Sequence, residues 1–223
     1  MAALISRELF GGQTHGTVLG NTTVASADTS SGAGTLTQHV TSPNVVGGGT
    51  GLASLGETAS KYAVWQKAGR AFTGISFIGL MLALPGATAF VAELRTTGGA
   101  VAAQLKLDTA GGLQPRNGTT AVGSTLQLPL GFPFRITWSV AVSGTTQAVA
   151  LYTGRNIDTD VAEDATSGTY GQGNHDYIRI GNIGSVAGAG LTFFWTELSA
   201  DDAIIPAPTF LLPRTRVIGP IAA

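Results

Sequence analysis

The chain has 223 residues, with 12 Lys and Arg against 13 Asp and Glu, for a formal net charge of −1. Charged residues are 11% of the total, against roughly 25% in an average soluble domain, and the 32 glycines are about double the usual share of roughly 7%. That balance excludes a nucleic-acid binder, which needs a basic excess to neutralise phosphates, and the 43% hydrophobic content excludes an acidic disordered solubiliser. With no cysteine, disulfide scaffolds, thiolate zinc sites, iron–sulfur clusters and cysteine nucleophiles fall away together.

Residues 1–8 lack the basic region and apolar stretch of a secretory signal. From Gly11 to Gly56 the chain is mostly Thr, Ser, Gly and Ala, but residues 17–19 and 35–40 keep a β-branched alternation. That predicts ordered strands in an edge sheet covering a sandwich rather than a linker. Gly49-Thr50-Gly51-Leu52-Ala53-Ser54 begins like a dinucleotide-binding turn. It lacks the third glycine and a following amphipathic helix, so it reads as a flexible turn. The longest apolar stretch, residues 75–84, stops at Pro85 at about half the length of a membrane span, so no membrane insertion is expected.

Period-two alternation then dominates. Phe90, Ala92 and Leu94 alternate with Val91, Glu93 and Arg95; Gly98-Gly99 turns the chain; Val101, Ala103, Leu105 and Leu107 alternate with Ala102, Gln104, Lys106 and Asp108. Asn117-Gly118 predicts a two-residue type I′ turn, where both positions must tolerate positive φ. Ile136, Trp138, Val140 and Val142 share one face of a strand, with Arg135, Thr137 and Ser139 on the other; residues 147–152 return as the second half of a hairpin. Ile178 and Ile180 alternate with Tyr177 and Arg179, and Leu191, Phe193 and Trp195 with Thr192, Phe194 and Thr196. No window carries helical periodicity over three turns. The prediction is an all-β sandwich or barrel with little helix. Ile136, Trp138, Val140, Phe193 and Trp195 should be buried on facing sheets. Beyond Asp202 the tail is punctuated by Pro206, Pro208 and Pro213, which bars helix interior and central strand.

Candidate chemistry is sparse. His15, His39 and His175 lie far apart without metal-ligand spacing. His175, in Gly173-Asn174-His175-Asp176, reads as a solvated loop residue able to pair with Asp176. The acidic run of residues 158–164 is flanked by loop-forming residues, including Thr166-Ser167-Gly168. Its carboxylates offer a possible calcium site at Asp158, Asp160 and Asp164, and calcium is the one candidate cofactor. No Gly-x-Ser-x-Gly elbow is present, and the strongest strands, residues 135–142, 147–152 and 191–198, carry only Glu197 as a carboxylate, so no catalytic residue and no enzymatic activity are expected. Trp138 and Trp195 read as core anchors, whereas Trp65, Tyr170 and His175 are the candidate ligand-binding residues.

Two resemblances sharpen this reading. The segments Phe134-Arg135-Ile136-Thr137-Trp138-Ser139-Val140, Ala150-Leu151-Tyr152-Thr153-Gly154, Asp176-Tyr177-Ile178-Arg179-Ile180-Gly181 and residues 191–199 resemble the hairpin and closing strands of concanavalin A-like (laminin-G-like) jelly rolls. Trp195-Thr196-Glu197-Leu198 departs from that family's acidic pair. Residues 4–17 are similar to the opening of minor tail proteins from phages of actinobacteria, and Arg216-Val217-Ile218-Gly219-Pro220 resembles their close, with Val217 in place of a usual Trp. The resemblance implies a jelly-roll β-sandwich over residues 15–205 with an N-terminal arm of residues 1–14 and a C-terminal arm of residues 206–223. It implies a structural or adhesion component of a bacteriophage virion, a minor tail or tail-tip protein assembled in the host cytoplasm. Its partners would be other virion proteins, further copies of itself and a host-surface glycan. The alternatives are a free carbohydrate-binding module or glycosidase on the same fold, or a capsid decoration protein. The low surface charge and apolar ends further predict that residues 1–10 and 206–223 are ordered by neighbouring subunits.

Overall fold

The computed structural model describes residues 4–8, 18–19, 36–39, 51–57, 61–66, 73–96, 98–140, 146–154, 161–169, 175–183 and 190–201, with backbone alone for residues 4–8, 18–19, 36–39, 51–57, 61, 63–66, 176 and 196–201. Sixteen strands follow in chain order among the described residues. They are β1 Leu4–Glu8, β2 Val18–Leu19, β3 Leu36–His39, β4 Gly51–Glu57, β5 Lys61–Gln66, β6 Gly74–Ala83, β7 Ala89–Thr96 and β8 Val101–Leu107. Then come β9 Gly112–Asn117, β10 Thr120–Ala121, β11 Leu126–Gln127, β12 Pro133–Val140, β13 Thr146–Thr153, β14 Asp164–Thr169, β15 His175–Ile183 and β16 Leu191–Asp201. No α-helix occurs among the described residues.

The strands form two antiparallel sheets packed as a sandwich. The nine-stranded sheet runs β14-β13-β12-β6-β16-β4-β3-β2, with β1 added to β16; the seven-stranded sheet runs β10-β9-β8-β7-β15-β5, with β11 added to β9. β6 is the centre of the larger sheet, pairing with β12 on one edge and β16 on the other. Its nearly continuous apolar sequence, interrupted by Ser76, follows from burial on both faces along residues 74–81. Ile75, Phe77 and Met81 belong to the core between the sheets, while Ser76, Ile78 and Leu80 are buried on the far side. Arg135, Thr137, Tyr152 and Phe194 are also buried, and the Arg135 guanidinium lies 3.8 Å from the centre of the Tyr152 ring.

Several expectations need correction. Ile136, Trp138, Val140, Phe193 and Trp195 are all fully buried, but on one sheet rather than two, because β6 joins β12 to β16. In β7 the strict alternation fails at a bulge between Phe90 and Ala92, which sends Val91 into the core and leaves Phe90 half-buried. The hairpin after β9 turns on Gly118 and Thr119, with Asn117 still paired to Thr120. Gly118 takes a positive φ of 56°, and Asn117 is the last residue of β9 rather than a turn position. Gly51 to Ser54 belong to strand β4, not to a turn. Strands β2, β3 and β4, from the Thr-, Ser- and Gly-rich segment, extend the main sheet instead of forming a separate cover. Leu4–Glu8, inside the segment read as an arm held by a neighbour, pairs with Leu198–Asp201 of its own chain, beyond the stretch of β16 that β4 occupies. The C-terminal arm, residues 206–223, lies outside the described residues.

Residues 166–168, read as loop, belong to edge strand β14, which pairs with β13 along its length. A small-residue edge is held there by a docked loop. Thr166 Oγ1 accepts hydrogen bonds from the Ser124 amide at 2.6 Å and the Ser124 hydroxyl at 3.0 Å. Gly123, at φ +72°, makes the approach possible: a Cβ there would lie 2.2 Å from Thr166 Oγ1 and 2.8 Å from the Ser167 carbonyl oxygen. Gly123→Ala is therefore expected to destabilise the fold by about 1–3 kcal/mol, through strain at positive φ and displacement of the loop. Urea denaturation checks this; an unchanged midpoint would show that the loop does not depend on the contact.

Candidate functional site

The outer face of the seven-stranded sheet is polar and half-open. Residues paired across antiparallel strands share a face, so the register lines up a row running Arg116, Gln104, Glu93 and Arg179 across β9, β8, β7 and β15. At about 4.8 Å per strand the row spans about 14 Å, wider than one pyranose ring. A second row sets Tyr177 beside Arg95, and a third sets Lys106 beside Gln114. The opposite parity of the same strands supplies Leu94, Ala103, Leu105, Leu113, Ile178 and Ile180 to the core. Alternation thus fixes both the core and the face.

Glu93 is the hub. It is only 1% exposed, and its carboxylate is held on every side. Oε1 accepts from Arg95 Nε and from Arg179 Nη1 at 3.4 Å, while Oε2 accepts from Gln104 Nε2 at 2.7 Å. Two flanking guanidinium groups and an amide compensate the desolvation of this charge. Arg95 also donates from Nη1 to the Gly99 carbonyl at 2.6 Å, in the turn where Gly99 adopts φ +83°. The Arg179 guanidinium lies 4.5 Å from the centre of the Tyr62 ring, a cation–π contact that fixes its plane. Arg116 is tied loosely, donating to the Gly118 carbonyl and to Gln114 Oε1, both at 3.4 Å. Arg95, Lys106, Arg116, Arg179, Tyr62 and Tyr177 all keep part of their side chains in solvent.

Chemically, this face offers fixed cationic donors, amide groups and the Tyr177 ring to a flat, hydroxyl-rich ligand. Among the described residues it has two carboxylates: Glu93 is engaged through both oxygens, and Asp108 at the hairpin tip accepts through Oδ1 from the amides of Ala110 and Gly112 at 2.9 and 2.8 Å. Among the described residues no cluster of three His, Asp or Glu stands ready for a metal.

The residues singled out from sequence fall differently. His175 is not a solvated loop residue. It opens β15, pairs with Thr96 and is fully buried, so it presents no surface to a ligand. Trp65 is paired with Ile178, a core residue of β15, and its side chain lies outside the described residues. Tyr170, Asp158 and Asp160 also lie outside them. Asp164 is exposed at the start of β14, where its Oδ1 accepts from the Ala165 amide at 2.8 Å. Tyr62, three residues from Trp65, and Tyr177, two from His175, stand on the open face, as does half-buried Phe90 beside Lys106. Their signal was the alternation itself, which sets Tyr177 and Arg179 opposite in phase to Ile178 and Ile180.

The fold is that of the lectin-like jelly-roll sandwiches. Trypanosoma rangeli sialidase in complex with 2,3-difluoro-KDN superposes with a TM-score of 0.52 at 14% identity, covering 91% of this chain and 31% of that one. A structure of botulinum neurotoxin type C, whose cell entry depends on two ganglioside molecules, superposes with a TM-score of 0.50 at 10% identity, covering 84% and 47%. The CBM2 module of the evolved Dit of Lactobacillus casei BL23 phage J-1 is similar at a TM-score of 0.47 and 13% identity, covering 92% and 97%. The chain spans about a third of the length of the sialidase chains it matches. At these identities the likeness is one of fold. No family model matches the chain, and no curated protein matches it in sequence.

Proposed function

We propose that this chain is a non-catalytic glycan-binding component of a bacteriophage virion, a minor tail or tail-tip protein that contacts the host surface. The observation that carries the glycan reading is the open outer face of the seven-stranded sheet. There, Tyr177 stands beside Arg95, and the row Arg116, Gln104, Glu93, Arg179 is held in register by the strands. Rigid strands presenting aromatic and amide groups suit an extended ligand, because little side-chain entropy is lost on binding. The virion reading rests on the resemblance of residues 4–17 and 216–220 to phage minor tail proteins. The non-catalytic reading is supported by Glu93, whose two oxygens are both engaged, leaving neither free to move a proton.

Affinity electrophoresis against host cell-wall polysaccharides tests this. The wild-type chain should be retarded without releasing product. Tyr177→Ala should weaken retardation by about fivefold or more, since a stacked ring contributes on the order of 1 kcal/mol. Retardation unchanged in Tyr177→Ala, or sugar release by the wild type, would refute the reading. Peptide mass spectrometry of purified particles tests the virion assignment separately.

A further inference from the structure

We propose that the ligand of this face is an acidic polysaccharide, one carrying carboxylate, sulfate or phosphate groups along its chain; this rests on the glycan-binding reading and narrows it. The chain as a whole has a net charge of −1, yet charge is segregated on it. The open face carries Arg95, Lys106, Arg116 and Arg179 against the carboxylates of Glu93 and, at the hairpin tip, Asp108, so 4 − 2 = +2 among the described side chains. Glu93 is already spent on Arg95, Arg179 and Gln104. Lys106 has no ion pair among the described residues, and Arg116 bonds only to uncharged oxygens at 3.4 Å.

Adjacent cations on one sheet face repel, and a neutral sugar does nothing to relieve them. An anion does. Arg116 and Arg179 stand at the two ends of the row, on strands about 14 Å apart. Lys106 stands in the neighbouring row beside Gln114. That distribution matches charges repeated along a polymer rather than a single anionic group. Arg179 is held ready for an anion. Tyr62 stacks on its plane, Glu93 takes Nη1 at 3.4 Å, and 22% of its side chain remains in solvent. Planar donors fixed in this way favour bidentate contact with oxyanions.

The test compares the intact chain on polygalacturonate, a glycerol-phosphate polymer, a neutral galactan and polyglutamate by isothermal titration. At least one acidic polysaccharide should bind about tenfold or more tightly than the galactan, weakening as salt rises. Arg116→Gln and Lys106→Gln, both half-exposed and loosely tied, should each lower that affinity about three- to tenfold with unchanged melting temperature, and Arg179→Gln about tenfold. Comparison of polygalacturonate with the phosphate polymer tells which anion is read. Galactan binding as strong as acidic binding, lost in Tyr177→Ala but intact in the charge variants, would overturn the acidic ligand and keep the glycan reading. Acidic binding untouched by all three charge variants, or polyglutamate bound equally well, would overturn the inference as well. Binding to none of the four would overturn both.

Discussion

Trp138→Ala is expected to cost the fold about 3–5 kcal/mol, the largest loss of any single truncation here, because the cavity it leaves is walled by strands that cannot collapse. Trp138 is fully buried on β12, between Val149 of β13 and Ile75 of β6 in register. It also carries the polar link through the core: Nε1 donates to Gln147 Oε1 at 2.9 Å, and Gln147 Nε2 donates to the Arg116 carbonyl at 3.4 Å. That chain of bonds ties the large sheet to β9, the strand that presents Arg116 on the open face. Gln147→Leu should therefore cost about 1–3 kcal/mol by orphaning the indole N–H. The double variant should lose less than the sum, since the two residues share one interaction. Urea melts of the three variants decide it. A loss under about 1 kcal/mol for Trp138→Ala would mean that the core does not depend on the indole.

Gly79→Val should be the second most damaging substitution, at about 1–3 kcal/mol or more, through overpacking rather than through a cavity. Gly79 lies at the middle of β6, paired with Phe134 on one side and Trp195 on the other. A Cβ at this position would lie 2.5 Å from Phe134 Cε2 and 3.1 Å from Phe193 Cζ. Neither ring has room to retreat. Phe134 packs edge-on against Phe193 with centroids 5.7 Å apart, and Phe193 lies 4.5 Å from Trp195. The missing side chain is thus filled by a neighbour's ring, and β6 gives up its own packing at that point. Phe134→Leu combined with Gly79→Ala should recover part of the loss. A double variant no more stable than Gly79→Ala alone would show that the ring is not the obstacle.

The alternation of Ile136, Trp138 and Val140, and of Ile178 and Ile180 against Tyr177 and Arg179, made strands and their faces legible from residue order. Period two is a property of the extended backbone itself. The same holds for the turn at Gly98-Gly99. Composition, too, spoke directly: with 11% charge and no cysteine, whole classes of chemistry were absent before any fold was considered. What residue order did not carry was which strand lies beside which. β6 pairs with β12 and β16, more than fifty and one hundred residues away in sequence, and so puts Trp138 and Trp195 on one sheet. Local pattern is silent about such partners, because strand pairing is decided by backbone hydrogen bonds between distant segments.

The bulge between Phe90 and Ala92 and the burial of His175 were hidden for the same reason, each being imposed by a neighbouring strand's register. The candidate site shows the division most clearly. Gln104, Glu93 and Arg179 alternate visibly along their own strands, but Arg116, Gln104, Glu93 and Arg179 come from four strands spread over more than eighty positions. Residue order set Gln104, Glu93 and Arg179 opposite in phase to their apolar neighbours, whereas the outward face of Arg116 came only from the register of β9 against β8. Only the stacking of four registers decided that they would form one row, with Glu93 buried among cations and the remaining charges turned outward.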